Sequence, residues 1–142
     1  LRLGNAMILK DKNELKKILS EKNNSDITKK LVSLTDFYGD ESILKDLNTL
    51  LPDQVVANNV TKSLTSICEN LKEMNVEISF DFSDIRGYQY HTGIVYSAYA
   101  QKFNTAVAQG GRYDNMNKFA GDMRPATGFS IDLRFIINNL LN

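Results

Sequence analysis

The chain of 142 residues is 42% hydrophobic and 24% charged, enough apolar material to bury a core in one domain or one compact domain with an appended subdomain, which argues against disorder. Its 17 Lys and Arg balance 17 Asp and Glu, so no overall positive field gathers nucleic acid or an anionic membrane, and no apolar run is long enough to span a bilayer. The single Cys68 cannot make an intrachain disulfide or a zinc cluster, sits in a helical pattern as a small buried hydrophobe, and fits a reducing compartment.

The chain opens at Leu1 and not at a methionine, and reads as a piece of a longer protein. Its first apolar run has charges close behind it and does not look like a signal peptide, so a cytoplasmic location is expected.

Asp11 followed by Glu14 is a capping-box pattern, and Leu15, Ile18 and Leu19 form an apolar stripe behind it, which predicts a helix over 12–22. Ile27, Leu31, Leu34 and Tyr38 repeat at helical spacing before Gly39, and Ile43, Leu44 and Leu47 mark a shorter helix that stops near Pro52. Val60, Leu64, Ile67 and Leu71 line a longer one after Asn58 and Asn59, with Lys62, Glu69, Lys72 and Glu73 on its wet side.

The period then changes from helical to alternating. Val76, Ile78, Phe80 and Phe82 alternate with polar residues, predicting a strand that Arg86 and Gly87 interrupt. A second strand is expected over 90–100, apolar in part on both faces and therefore interior, with helices over one side and a pocket on the other. A third is expected over 103–109, ending at Gly110-Gly111, then a short helix around 113–118 and a loop from Gly121. A last strand over 126–131 leads to Asp132, which caps a helix whose Leu133, Ile136, Ile137, Leu140 and Leu141 predict a buried stripe. Helices followed by hairpin-connected strands favour an antiparallel α+β fold, and about four strands would leave an edge for a preceding segment or a partner chain to cover.

Three stretches carry candidate chemistry. In DFSDIRGYQYHTG, the guanidinium of Arg86 presents a rigid fork suited to a carboxylate or phosphate, and Tyr88, Gln89, Tyr90 and His91 add rings and hydrogen-bonding groups that can orient a small polar ligand. Pairing of Arg86 with Asp84 or Asp81, and packing of the tyrosines on the sheet, is equally open. His91, the lone histidine, is a candidate for binding or proton transfer and a poor basis for a metal site. In QGGRYD, Gly110 and Gly111 could form a pocket edge while Arg112 and Asp114 make a fixed ion pair; a tight strand-to-helix junction is the alternative. In RPATGFSIDLR, Arg124 could face an anion, with Thr127 and Gly128 shaping the pocket floor; Gly128 lacks the spacing of a phosphate-binding fingerprint.

Together, RGYQYHTGIVY, GGRYD and RPATGFSIDLR resemble the regulatory-subunit family of ATP phosphoribosyltransferase, a paralogue of histidyl-tRNA synthetase. The resemblance is strongest over 81–136. It implies the C-terminal part of a class II aminoacyl-tRNA synthetase-like domain: residues 1–11 end a preceding core segment, 12–75 form a helical insertion, and 76–142 belong to an antiparallel core completed by an N-terminal half. In synthetases of this type an RG segment with two aromatics lines the amino-acid pocket, which falls on Arg86, Gly87, Tyr90 and, imperfectly, His91, with Gln89 where an acidic residue is usual. Synthetases also place an acidic residue and an ATP-binding arginine at the start of the final helix, where this sequence has Arg134 and Phe135.

The implied role is a non-catalytic one in the first step of histidine biosynthesis. The expected partner is the short-form ATP phosphoribosyltransferase catalytic subunit, with self-association and histidine-linked regulation, and with no cofactor, catalytic residue, metal, tRNA or membrane. The alternatives are a histidyl-tRNA synthetase catalytic-domain fragment and an oligomerisation scaffold with a vestigial ligand pocket.

Overall fold

The computed structural model describes residues 2–20, 25–51, 53–87, 89–114 and 124–140, and the chain divides into two compact units, residues 1–85 and 86–142. The expected loop from Gly121, most of the expected helix over 113–118, and Leu141 lie outside the described residues.

The first unit is mainly helical. Helices α1 (Arg2–Ile8) and α2 (Lys12–Ser20) are joined by a tight turn in which Lys10 takes a left-handed conformation, φ 54°. The Asp11 carboxylate then accepts from the amides of Asn13 and Glu14, so the cap read from the sequence is in place. Ala6, Met7 and Leu15 form a buried cluster, against which Leu31, Val32 and Leu34 of α3 (Ser25–Leu34) and Ile85 pack. Burying one leucine of this kind contributes about 2 kcal/mol.

Tyr38, expected to prolong α3, instead starts the two-residue strand β1 (Tyr38–Gly39), which pairs antiparallel with β2 (Phe80–Asp81). The helix stops at Leu34 because the chain turns there, with the hydroxyl of buried Thr35 bonded back to the Val32 carbonyl. A 3-10 turn over Glu41–Asp46 runs into α4 (Leu47–Leu50) and buries Leu44 and Leu47.

Helix α5 (Gln54–Leu71) begins four residues before the Asn58–Asn59 pair, because Asp53 caps it: its carboxylate accepts from the Val55 and Val56 amides. Ala57, Leu64 and Cys68 are its buried face, and Lys62, Glu69, Lys72 and Glu73 are exposed, as their spacing predicts. The strand expected from Val76 shrinks to β2, since β1 offers only two partners, and Val76 is exposed.

The second unit is a three-stranded antiparallel sheet, β3 (Val95–Ala98), β4 (Ala108–Tyr113) and β5 (Ala126–Ile131), in the order β3-β4-β5, followed by α6 (Leu133–Leu140). Three expectations are corrected here. The second strand starts at Val95 because Tyr90 and His91 are held in a turn, and it lies at an edge of this sheet, with β4 in the middle. The third does not stop at Gly110-Gly111 but runs through them to Tyr113, since both neighbouring strands bond to it there. The β5 bounds and the Asp132 cap agree with the sequence, the cap accepting from the Phe135 amide at 2.9 Å, but α6 buries no residue: Leu133, Ile137 and Leu140 are exposed in this unit.

Candidate functional site

The candidate residues lie in the second unit, and strand register sorts them. Across antiparallel strands, directly paired residues share a face. Gly111 pairs with Val95 on one side and Gly128 on the other, whereas Gly110 pairs with Tyr96 and Phe129, and Arg112 with Thr127. Gly111 and Gly128 therefore lie on one face, and Gly110, Arg112 and Thr127 on the opposite one. The pocket-edge pair Gly110-Gly111 is split between the two sides of the sheet.

The face of Gly111 carries the rings. Gly87 is left-handed, φ 68°, and its carbonyl accepts from the amides of both Tyr90 and His91, at 2.8 and 2.9 Å. This tight turn, which glycine adopts without steric cost, drops the imidazole of His91 between two bare backbones. A β-carbon placed on Gly87 would meet His91 Nδ1 at 2.7 Å, and one on Gly111 would meet His91 Cδ2 at 2.6 Å. Nδ1 is buried with no hydrogen-bond partner among the described residues.

Tyr90 stands edge-on to His91, with centroids 5.1 Å apart, and leans on Tyr113, 5.0 Å away; the Tyr113 hydroxyl lies over Gly128. Three rings thus form a continuous wall over three glycines. Arg86 reaches the same face, its guanidinium 3.4 Å from Ser97 Oγ. Asp81 is engaged elsewhere, accepting from Lys10 at 2.8 Å and from Ser83.

On the other face the expected ion pair is present: Arg112 Nε donates to both Asp114 oxygens at 3.1 Å, while the Asp114 amide donates to Thr92 Oγ1. The Arg112 guanidinium holds the Asp114 carboxyl below the usual carboxylate range. Gln89 and Arg124 are exposed, and Tyr88 lies outside the described residues.

Reading the sequence alone misses Tyr113, Ser97, Gln109 and Ser130 as residues of the ring-bearing face. Continuing the alternation of β4 through its two glycines would have placed Tyr113 and Gln109 there; Ser97 and Ser130 need the cross-strand register. Among the described residues, no group of three His, Cys, Asp or Glu could hold a metal, and no helix is long and apolar enough to cross a membrane.

The arrangement defines a class. An antiparallel sheet with a helical block before it matches the crystal structure of an ATP phosphoribosyltransferase regulatory subunit/histidyl-tRNA synthetase from Bacillus halodurans C, with a TM-score of 0.80 at 21% identity over 98% of this chain and 37% of that one. The fold is therefore histidyl-tRNA synthetase-like, of the α+β class that the sequence predicts. The histidyl-tRNA synthetase family model matches residues 2–136, and the chain belongs to that family.

Its relatives include proteins named ATP phosphoribosyltransferase regulatory subunit. That of Methylobacillus flagellatus is 40% identical over 82% of this chain and 30% of that protein. That of Nitrosospira multiformis is 36% identical over 94% and 35%, and that of Neisseria meningitidis 42% over 75% and 27%. The chain spans about a third of the length of these relatives.

Proposed function

We propose that this chain belongs to a non-catalytic regulatory subunit of ATP phosphoribosyltransferase, acting in the first step of histidine biosynthesis. It works in the cytoplasm through assembly with the short-form catalytic subunit and with copies of itself, and it takes part in the response to histidine. Residues 12–75 serve as the helical insertion and 76–142 as the C-terminal part of the core.

The observation that carries this reading is Phe135. The synthetase pattern calls for an ATP-binding arginine at this point of the final helix. Phe135 instead packs its ring on Phe103, with centroids 5.6 Å apart. Arg134 is exposed one residue earlier, about 100° around the helix. An aromatic ring brings neither the charge nor the forked donors that stabilise a transferring phosphoryl group. The names of the relatives point the same way.

Arg86, Gly87, Tyr88, Gln89, Tyr90 and His91, with Gly111 and Gly128, make up the ligand pocket of this reading; Gly110, Arg112, Arg124 and Thr127 support its frame. With Gln89 where an acidic residue is usual, a cationic amino group is held less strongly there.

The test uses the full-length protein, co-expressed with a short-form catalytic subunit and measured by native mass spectrometry, and assayed alone for histidine-dependent exchange between pyrophosphate and ATP. A stable hetero-oligomer with histidine-sensitive activity, and no exchange by the protein alone, is expected. Robust exchange overturns the proposal in favour of a synthetase, and absence of any complex favours a scaffold.

A further inference from the structure

Helix α5 has a second apolar side beyond the one it buries. Ala57, Leu64 and Cys68 face the core of the first unit, while Val56, Ile67 and Met74 are 50%, 36% and 66% exposed. Met74 belongs to the 3-10 turn Lys72–Met74 that directly continues the helix. Val56, Val60, Ser63, Ile67, Asn70 and Met74 follow one another at spacings of 4, 3, 4, 3 and 4 residues. This is the seam of a coiled coil, the pattern by which one helix seats a second along its length.

The polar members of the seam do not oppose covering. Ser63 Oγ donates to the Asn59 carbonyl at 2.9 Å, and Asn70 Nδ2 to the Ser66 carbonyl at 2.7 Å, so an apolar helix laid over them strands neither of these donors. Charge lies elsewhere. Lys62 and Glu69 stand on the far side of α5, and the outer rim of the seam is Asn59 and Ser66, with Glu73 alone charged at its end. A partner recognised by charge finds nothing here to pair with along most of the seam.

The order of the side chains selects the occupant. Laid antiparallel on its own copy about a two-fold axis near position 65, the seam sets Val56 against Met74, Val60 against Asn70, and Ser63 against Ile67. Each layer joins a bulkier side chain to a smaller one. A parallel copy would instead set Ser63 on Ser63 and Asn70 on Asn70, leaving thin layers. A two-fold contact also brings like groups of the two copies together, which a seam without charge tolerates. Two strips about 27 Å long and one helix diameter wide, with their side-chain relief, bury on the order of 1,000 Å² in all, the lower end for a specific contact.

We propose that this side of α5 is a self-association surface, on which a second copy of the chain docks its own α5 antiparallel. The assignment deepens the self-association of the proposed function by giving it a place, and it draws its support from α5 alone.

Sedimentation velocity of the full-length protein tests it, through variants that report the register. Ile67→Glu and Ser63→Lys should each weaken one concentration-dependent association step at least tenfold. An equimolar mixture of the two variants should return to within about threefold of wild type, because only the mixed pair sets a lysine at 63 against a glutamate at 67. Lys62→Glu, on the far side, should leave the step unchanged. Both substituted seam positions are exposed, and unchanged circular dichroism checks the fold. No association step that the seam variants weaken, a mixture no stronger than its components, or equal weakening by Lys62→Glu overturns the proposal. A lower melting temperature in the seam variants with self-association intact also overturns it, since another segment of the full-length protein then covers the seam. Loss of the catalytic-subunit complex with self-association intact does the same in favour of that partner. A missing catalytic-subunit complex in the wild type, with the association step and its rescue present, fails the regulatory reading and supports this contact.

Discussion

Gly111→Ala tests the seat of the His91 ring. The added methyl would lie 2.6 Å from His91 Cδ2, 2.9 Å from Nε2 and 2.9 Å from the Ile94 carbonyl. The Ile94 carbonyl cannot readily give way, because it is held by the Arg112 amide at 2.9 Å. Overpacking of this kind costs about 1–3 kcal/mol. Taking about 2 kcal/mol and about 4 °C per kcal/mol for a chain of this size, the melting temperature should fall by roughly 8 °C.

The same substitution should displace the imidazole from Tyr90, which shifts the ring resonances of His91 in NMR spectra, assigned by their loss in His91→Ala. In a His91→Ala background only the Ile94 clash remains, so Gly111→Ala should cost about half as much there, a coupling on the order of 1 kcal/mol. A Gly111→Ala protein that melts with the wild type, keeps its His91 resonances and shows additive effects with His91→Ala would refute the packing argument.

The Asp81 carboxyl is pushed up by burial but held below the usual range overall by its bonds to Lys10 and Ser83, so its contribution is present above the unfolded pKa and lost as pH falls through the lower folded one. Urea titrations between pH 6 and 2.5 should show Asp81→Asn less stable than wild type near neutrality by no more than about 1 kcal/mol, since the group is partly exposed, with the difference closing in acid; a constant difference would refute the linkage. Asp132→Ala removes the acceptor of the Phe135 amide and should destabilise α6 by about 1 kcal/mol, with faster amide exchange confined to its first turn as the check. Asp53→Ala should do the same at α5, and Asp53→Asn should recover most of the loss in thermal melts.

What could be read in the sequence was local. Asp11 before Glu14, Asp132 before an apolar helix and the alternation of Ala126–Ile131 depend on neighbours a few residues away, and each stands where expected. The long helix was legible from the period of Val60, Leu64, Ile67 and Leu71, although its buried face is Ala57, Leu64 and Cys68 with Ile67 exposed. Its start was placed late because Asn58-Asn59 reads as a cap while Val55, Val56 and Ala57 before it already belong to the helix.

Pairing was not legible. Tyr38 fits a helical period equally well as a strand start, and only its partner Asp81, 43 positions away, decides. Gly110-Gly111 reads as a strand terminator until strands on both sides are known to bond to it. In the candidate site, the ion pair of Arg112 and Asp114 was accessible from spacing two, but the separation of Gly110 from Gly111, and the joining of Ser97, Gln109 and Ser130, exist only in the register. The α6 stripe shows the same limit in reverse: its period is right, but periodicity does not say what covers a face.

The two adjacent glycines of β4 also make the sheet thinnest at its middle. His91 rests on Gly111 from one side, and the Tyr96 ring covers Gly110 from the other, so two aromatic groups press on neighbouring peptide units with only main chain between them. Side chains elsewhere in a sheet act as spacers that absorb a push. Here there is no such cushion, and because β4 is bonded along both edges it cannot bow without straining its partners. A ring lifted on one side therefore changes the support of the ring on the other, which makes this point of the strand a short mechanical link between two surfaces that share no side chain.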